Sequence, residues 1–416
     1  PTHPTSSAAS DVYKRQIIGG SMSGLFAANF LKKINWDYSI HEMVPEPLSG
    51  RGAGIATYDE LAKLVKLTTG YNKSLGTSCN ERIVLNKQNE VISKIKYPQV
   101  FTSWQYLYDV LLSNIDKKKY FLGDECIEIL KKEKFNTLIF KSGKEIQADL
   151  IIIANGIRSN LKKIVDENKP EFAGYVGWRG LVNEADLSEK TFDLISDYFC
   201  FVLPKNQQFL TYPVAGVGNK GLEKGKRRIN WLWYKPVTIQ EYNDILTGKS
   251  KKKYEHGIPP HEIKDELIKN LKEEGQTKLP SSINELINKT DQILVQPIYD
   301  LKCKKMVNEN IIIIGDCAFT ARPHAGMGVT KAGFDCYDLM KCLDNIELEN
   351  LNHALISWEQ KRMKEGIFLV ERSREMGFYI KKDETIIMPK NEIVLDETAV
   401  SIKNIKNYPN KSSLFN

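Results

Sequence analysis

Three separated glycine turns and the polar residues around them mark where this sequence could do chemistry. The first turn carries Gly19, Ser21, Met22, Ser23 and Gly24, entered from Ile17 and Ile18 and followed by a helical stretch over 25–32. A turn without a Cβ lets the backbone approach a pyrophosphate, and the unpaired amides of the next helix point at the anion. Ser21 stands where the usual middle glycine sits, and its Cβ takes room near the phosphate. A second short strand, 38–41, ends at Glu42. An acid roughly 20 residues beyond such a turn can accept hydrogen bonds from a ribose. The same carboxylate would repel a 2′-phosphate, so NADPH is a poor occupant of this subsite. The second turn, Asn155-Gly156, closes an apolar run over 150–154. In the third, Asp316 closes the apolar strand 310–314, Pro323 stiffens a loop, and Gly326, Met327 and Gly328 open a helix. A carboxylate there can hold a polyol hydroxyl, and the helix amides can face a ring carbonyl or a diphosphate. Residues 19–24, 155–159 and 315–328 thus converge on one extended cofactor, a more specific pattern than a lone glycine fingerprint.

Candidates for contact with a substrate are fewer. His324 lies between Pro323 and Ala325, in the loop expected to face the cofactor. A histidine titrating near neutrality can bond a substrate or relay a proton. Tyr212 reads as a pocket residue or a core tyrosine. Arg322 or Arg179 could bind an anionic oxygen and so favour a deprotonated substrate; for either, a structural ion pair is the competing reading. Trp178, Trp231 and Trp233 suit stacking walls or core packing. Arg51 could reach a diphosphate or the pocket rim, or simply be solvated. His41, beside Glu42, belongs to the far end of the cofactor. No H-E-x-x-H or comparable set suggests a metal.

A chain of 416 residues, 42% of them hydrophobic, can bury a large core and build two domains. No run approaches a membrane span. The seven cysteines are odd in number and lack a CxxC pair, which argues against thiolate zinc and for a reducing, cytoplasmic compartment. The net charge of +7 comes from dispersed lysines, densest over 249–253, and shows no patterned face for nucleic acid. Paired strands are expected over 82–98, and a helix over 102–115 capped by Thr102 or Ser103. Strands 175–183, 198–204, 208–214 and 227–234 should form a second sheet. Residues 247–260 read as an exposed connection, and a long helix is expected over 351–376. Residues 1–13 read as a disordered leader and 377–416 as a tail that wraps the core.

The segments GGSMSGL at 19–25, RGAGI at 51–55, TSWQYLY at 102–108, GYVGWRG at 174–180, GKRRINWLWY at 225–234 and RPHAG at 322–326 carry a resemblance. Over about 14–376 the chain resembles the single-component FAD-dependent aromatic hydroxylases of the para-hydroxybenzoate hydroxylase fold, within them most nearly the pyridine-hydroxylase branch. The fold class so implied is α/β: a Rossmann-like FAD-binding domain with a second α+β substrate domain built on a mostly antiparallel sheet, and C-terminal helices. The FAD domain would take 14–80, 101–168 and 296–376, and the substrate domain 81–100 and 169–295. By the resemblance, Gly19 and Gly24 cradle the FAD diphosphate, Glu42 binds the adenosine ribose, Asp316 binds the ribityl chain, and Gly326 and Gly328 lie beside the flavin ring. Residues 149–159 match the motif that touches both FAD and NADPH, with Asn155 where the family usually has Asp. The implied activity is hydroxylation of a small electron-rich aromatic, a phenol or hydroxypyridine, through a C4a-hydroperoxyflavin formed with NADPH or NADH and O2. A homodimer is a family expectation. Halogenases, epoxidases and reductases share the fold, and a non-catalytic flavin carrier is the alternative from another class.

Overall fold

The computed structural model describes residues 14–48, 54–132 and 135–409. Arg51 and residues 1–13, on which the leader expectation falls, lie outside the described residues.

The cofactor-side sheet has six strands, in the order Val307–Asn308, Ile311–Ile313, Leu150–Ile153, Arg15–Ile18, Tyr38–Glu42 and Tyr120–Leu122. Its central strands Leu150–Ile153 and Ile311–Ile313 are runs of isoleucine because both faces are covered, as parallel strands require. Ile18 pairs in parallel register with Ile153 on one side and with His41 on the other, and Ile153 pairs with Ile313. The register decides the site: strands ending at Ile18, Ile153 and Ile313 run the same way, so the loops that follow emerge at one edge. The helices Met22–Lys33 and Gly328–Leu343 pack together, and the long helix Leu351–Met376 packs on the latter.

The second sheet has nine strands, ordered Phe319–Thr320, Leu294–Lys302, Glu171–Asn183, Arg228–Pro236, Gln208–Val214, Tyr198–Val202, Thr77–Leu85, Val91–Ser103 and Gly54–Thr57. All its pairings are antiparallel except that between Tyr198–Val202 and Thr77–Leu85. A three-stranded sheet over Cys126–Leu130, Asn136–Phe140 and Glu145–Ala148 completes the β structure among the described residues. The helix expected over 102–115 is Trp104–Ser113, and Ser103 is its cap, accepting the N–H of Tyr106.

Strand alternation sorts the second sheet into two faces. Leu210, Tyr212, Leu232 and Tyr234 face the main core with the FAD-side elements, whereas Phe209, Trp178, Trp231 and Trp233 pack in a separate core with Ile283, Leu286 and Ile287. The three tryptophans are therefore core residues on the face turned away from the six-stranded sheet's core, not stacking walls. Trp231 and Trp233 donate their indole N–H to Thr290 at 2.8 Å and to Gln207 at 2.9 Å, which satisfies them in place.

Candidate active site

The three loops meet as their strand ends dictate. Gly19 has φ +108, and a Cβ there would lie 2.6 Å from the carbonyl oxygen of Ala154, so only glycine fits. A Cβ on Gly24 would lie 1.9 Å from the Gly19 carbonyl oxygen; this glycine serves close packing of helix on turn. Ser21 is the N-cap of the first helix in extended conformation, with φ −87, and its hydroxyl caps nothing. The serine thus costs no backbone strain. Met22 and Ser23 form the first turn, and Ser23 accepts a contact from Cys336 Sγ at 3.5 Å. Glu42 is buried at the end of its strand, its Oε2 accepting the Gly20 N–H at 2.8 Å and its Oε1 the Val44 N–H at 3.0 Å. His41 is bonded to Asp124 and Gln16, at 2.7 and 2.6 Å, and burial lowers its pKa; it is structural.

Asn155 and Gly156 follow the Leu150–Ile153 strand, with Gly156 at φ +80 and open space around its Cα. Asn155 Oδ1 lies 4.0 Å from Cys317 Sγ, which puts the second loop beside the third. A Cβ on Gly315 would lie 2.0 Å from Ser23 Oγ, which puts the third beside the first. Asp316 lines the trough with its side chain open to solvent there, and the surrounding protein still raises its pKa by desolvation, partly offset by Lys331. Pro323 opens a short 3₁₀ turn, and Gly326 ends it in the left-handed region at φ +63. A Cβ on Gly326 would lie 2.3 Å from Tyr58 Oη, while Gly328 has nothing within 4 Å. Met327, the buried N-cap of the following helix, offers no side-chain cap, so the amides of that helix are left for another acceptor.

The second loop, through Ile157 and Arg158, and the third, through Asp316 and residues 320–323 and 326–329, meet the second sheet across one cavity of about 660 Å³, whose lining does not include the first loop. Its FAD-side wall includes Arg158, Asp316, Pro323 and Gly326–Gly328, and its sheet-side wall includes Tyr212, Leu232, Tyr234 and Arg179. Tyr212 stacks on Phe101 with ring centroids 4.3 Å apart, and burial raises its pKa. Its ring lies where a side chain on Gly54 would go, the ideal Cβ falling 2.3 Å from Tyr212 Cε2.

The two arginines separate cleanly. Arg322 makes a forked pair with Asp300, Nε to Oδ1 at 3.0 Å and Nη2 to Oδ2 at 2.8 Å, and Arg374 Nε reaches the same carboxylate at 2.9 Å. Its charge is committed to structure even though it lines the trough. Arg179 donates to the neutral Gln296 Oε1 at 2.9 Å and has no carboxylate partner among the described residues. Burial lowers its pKa, and Tyr212 and Tyr234 beside it act in the opposite sense.

His324 does not face the trough. Its ring is 1% exposed and turned into the core, sharing a 2.8 Å hydrogen bond with Tyr175 and packing 4.5 Å from the Tyr234 ring. Burial, reinforced by Arg322, brings its pKa down to about 3. A substrate-side histidine at this position is therefore corrected to a neutral core residue. The segment 247–260 is exposed over 249–253, as expected, but its second half is corrected: Tyr254, His256, Gly257, Ile258 and Pro259 line the cavity. The apolar Ile258 and the tyrosine were the available signal. Tyr234, Leu210 and Phe199, also on the wall, are marked only by strand parity with Tyr212.

The set fits a flavin dinucleotide. Two helix N-termini lack side-chain caps, Gly328 leaves open space beside the trough, and Asp316 offers a carboxylate on its wall.

A family description, FAD binding domain-like, matches residues 172–300. The chain is 24% identical over 363 residues to 2,6-dihydroxypyridine 3-monooxygenase of Paenarthrobacter nicotinovorans, covering 87% of this chain and 90% of that protein. It is 21% identical over 313 residues to salicylate hydroxylase of Pseudomonas putida, covering 70% and 65%. Among solved structures it superposes on 2,6-dihydroxypyridine-3-hydroxylase from Arthrobacter nicotinovorans with a TM-score of 0.83 at 23% identity, over 94% of this chain and 99% of that one. Klebsiella pneumoniae HpxO complexed with FAD and uric acid gives a TM-score of 0.70 at 18% identity, over 87% of each chain. The resemblance met in the sequence thus extends to the fold.

Proposed function

We propose that the protein is an FAD-dependent monooxygenase that hydroxylates a small, electron-rich aromatic or N-heteroaromatic ring, with NADPH or NADH as reductant and O2 as co-substrate. The observation that carries this reading is a cavity of about 660 Å³ lined on one side by Arg158, Asp316 and Gly326–Gly328 and on the other by an aromatic sheet face bearing Arg179. In the proposed arrangement Gly19, Ser21–Gly24, Asn155 and Gly156 surround the diphosphate, and Glu42 takes the adenosine ribose. Asp316 takes the ribityl chain, and Pro323 with Gly326–Gly328 borders the ring. Bound FAD would supply dioxygen activation and transfer of one oxygen atom.

The chain's own residues supply orientation and charge. Arg179, paired to a neutral amide, holds the deprotonated oxygen of a phenol or hydroxypyridine; the anion is the more nucleophilic form of such a ring. Tyr212 and Tyr234 bound the ring and exclude water. With both phenols raised by burial, they stay protonated and can donate to the substrate. Glu42 disfavours a 2′-phosphate at the adenosine end, so NADPH would deliver its hydride as a transient visitor.

The test is to load the purified protein with FAD and screen phenols and hydroxypyridines, 2,6-dihydroxypyridine included. Substrate-stimulated NAD(P)H oxidation should accompany a product heavier by one oxygen atom. Protein that takes up no FAD, or a product formed only with halide, would overturn the reading.

A further inference from the structure

Gln296 stands exposed on the cavity wall, in the strand Leu294–Lys302. It sits opposite Gly177 of the neighbouring strand Glu171–Asn183, while Arg179 sits opposite Leu294. Alternation puts Gly177 and Arg179 on one face of that strand. Gly177 offers no side chain there, and a Cβ on it would come 3.2 Å from the Tyr234 ring. Gln296 is thus left with no side chain directly opposite. Arg179 reaches it along the diagonal instead, Nη1 to Oε1 at 2.9 Å. Diagonal neighbours across a sheet lie within reach of long side chains.

The chemistry of this pair runs one way. A guanidinium only donates, so the amide must turn its oxygen to Arg179 and keep its NH2 for another acceptor. That Nε2 has no hydrogen-bond partner among the described residues. A neutral acceptor fixes the guanidinium without cancelling its charge, whereas a carboxylate in the same place would pair with it. Nothing else on the wall cancels it. Asp316 is the one carboxylate among the cavity-lining residues, and the ionisable groups that act on Arg179 are Tyr212 and Tyr234 instead. The other cavity-lining cations differ: Arg322 is taken by Asp300, and Arg158 belongs to the opposite, loop-side wall.

We propose that Gln296 is a positioning residue that sets the charge selectivity of the cavity. It orients Arg179 through a neutral contact and so leaves a full positive charge for an anionic oxygen. Its own NH2 adds a second donor beside that charge. The two side chains are hydrogen-bonded to each other, so one small anionic ring spans both. The inference rests on the anion-binding role given to Arg179 above.

The test uses FAD-loaded full-length protein and two dyes of similar shape, 4-nitrophenol and its methyl ether 4-nitroanisole, which cannot ionise. Equilibrium dialysis gives Kd for each. At a pH where free 4-nitrophenol is half ionised, the absorbance of the bound dye, with the flavin spectrum subtracted, reads its protonation state. Wild type should prefer the phenol to the ether and draw the bound dye to its yellow anion. Gln296→Glu should bind 4-nitrophenol roughly tenfold or more weakly and hold it in the neutral form, with FAD content, unfolding and ether binding unchanged. Gln296→Leu leaves the charge but removes the contact and the second donor. It should weaken the phenol by roughly threefold to fivefold while the bound dye stays ionised. A Glu variant with wild-type affinity and a yellow bound dye would overturn the inference, as would a Leu variant indistinguishable from wild type. Wild type that binds both dyes alike, or neither, would overturn it together with the role of Arg179. Failure of the wild type to take up FAD would instead bring down the monooxygenase reading itself.

Discussion

The Asp335 carboxylate accepts the backbone N–H of Gly315 at 3.0 Å, tying the helix Gly328–Leu343 to the turn that carries Asp316. The same Oδ2 accepts from Lys331 Nζ at 2.9 Å, and Lys331 also donates to the Gly315 carbonyl at 2.9 Å. Oδ1 accepts from Arg362 Nε at 2.8 Å, and Arg362 continues to Asp338 at 3.0 Å and Glu365 at 2.5 Å. Lys331, Asp335 and Arg362 are all buried, so this turn is set by a desolvated charge network rather than by its own sequence.

Removing one member of such a network leaves buried charges uncompensated, at a cost of about 3–5 kcal/mol. Asp335→Ala should therefore destabilise the protein by about that amount in denaturant unfolding, and FAD affinity should fall with it. Burial pushes the Asp335 carboxyl up, but Lys331 and Arg362 outweigh it and hold the pKa below the ordinary value. A depressed folded-state pKa means stability that is present above the unfolded-state value, near pH 4, and lost as pH falls through the folded value. The acid limb of the stability profile should flatten in Asp335→Ala.

His324 gives a second, separable pH effect. Its pKa is about 3 in the folded protein, against an ordinary histidine value of about 6.5. Between these values the unfolded chain binds the extra proton, so stability should fall as pH drops from about 6.5 toward 3. His324→Phe should remove that slope. A pH dependence of stability unchanged by the substitution would contradict the buried neutral ring.

Arg179 and Arg322 should fail in different ways. Arg179→Gln should leave FAD uptake and unfolding nearly unchanged and weaken binding of an anionic ring by roughly tenfold or more, the worth of a hydrogen bond to a charged group. Arg322→Gln strands Asp300 with Arg374 as its remaining arginine partner, and its effect should appear first in thermal unfolding. Flavin-perturbation titration and calorimetry on the same pair of variants distinguish the two.

The tail is held to the site by Arg82, which is fully buried. Its Nη1 donates to the carbonyls of Leu395 and Thr398, each at 2.6 Å, and its Nη2 to Ala399 at 2.9 Å. Thr398 and Ala399 line the cavity. Arg82→Met should cost about 3 kcal/mol and expose the segment after Ile380 to limited proteolysis, with weaker substrate binding as the consequence. A protease-resistant tail in that variant would show that other contacts hold it.

What the sequence alone determined here is local chemistry. Gly19 and Gly326 are needed where φ is positive, isoleucine runs become doubly covered parallel strands, and Ser103 caps the helix it precedes. These signals lie within a few residues of what they govern, so the FAD-side framework, the convergence of its loops and the long helix Leu351–Met376 were legible. Only the tertiary structure decided which strand face each aromatic took, placing Tyr212 and Tyr234 on the trough and Trp231 and Trp233 behind it. It alone gave Arg322 to Asp300, turned His324 inward to Tyr175, and brought residues 254–259 and the tail to the cavity wall. A charge or a ring is assigned by the partner that meets it, and those partners lie far along the chain, where no local pattern records them.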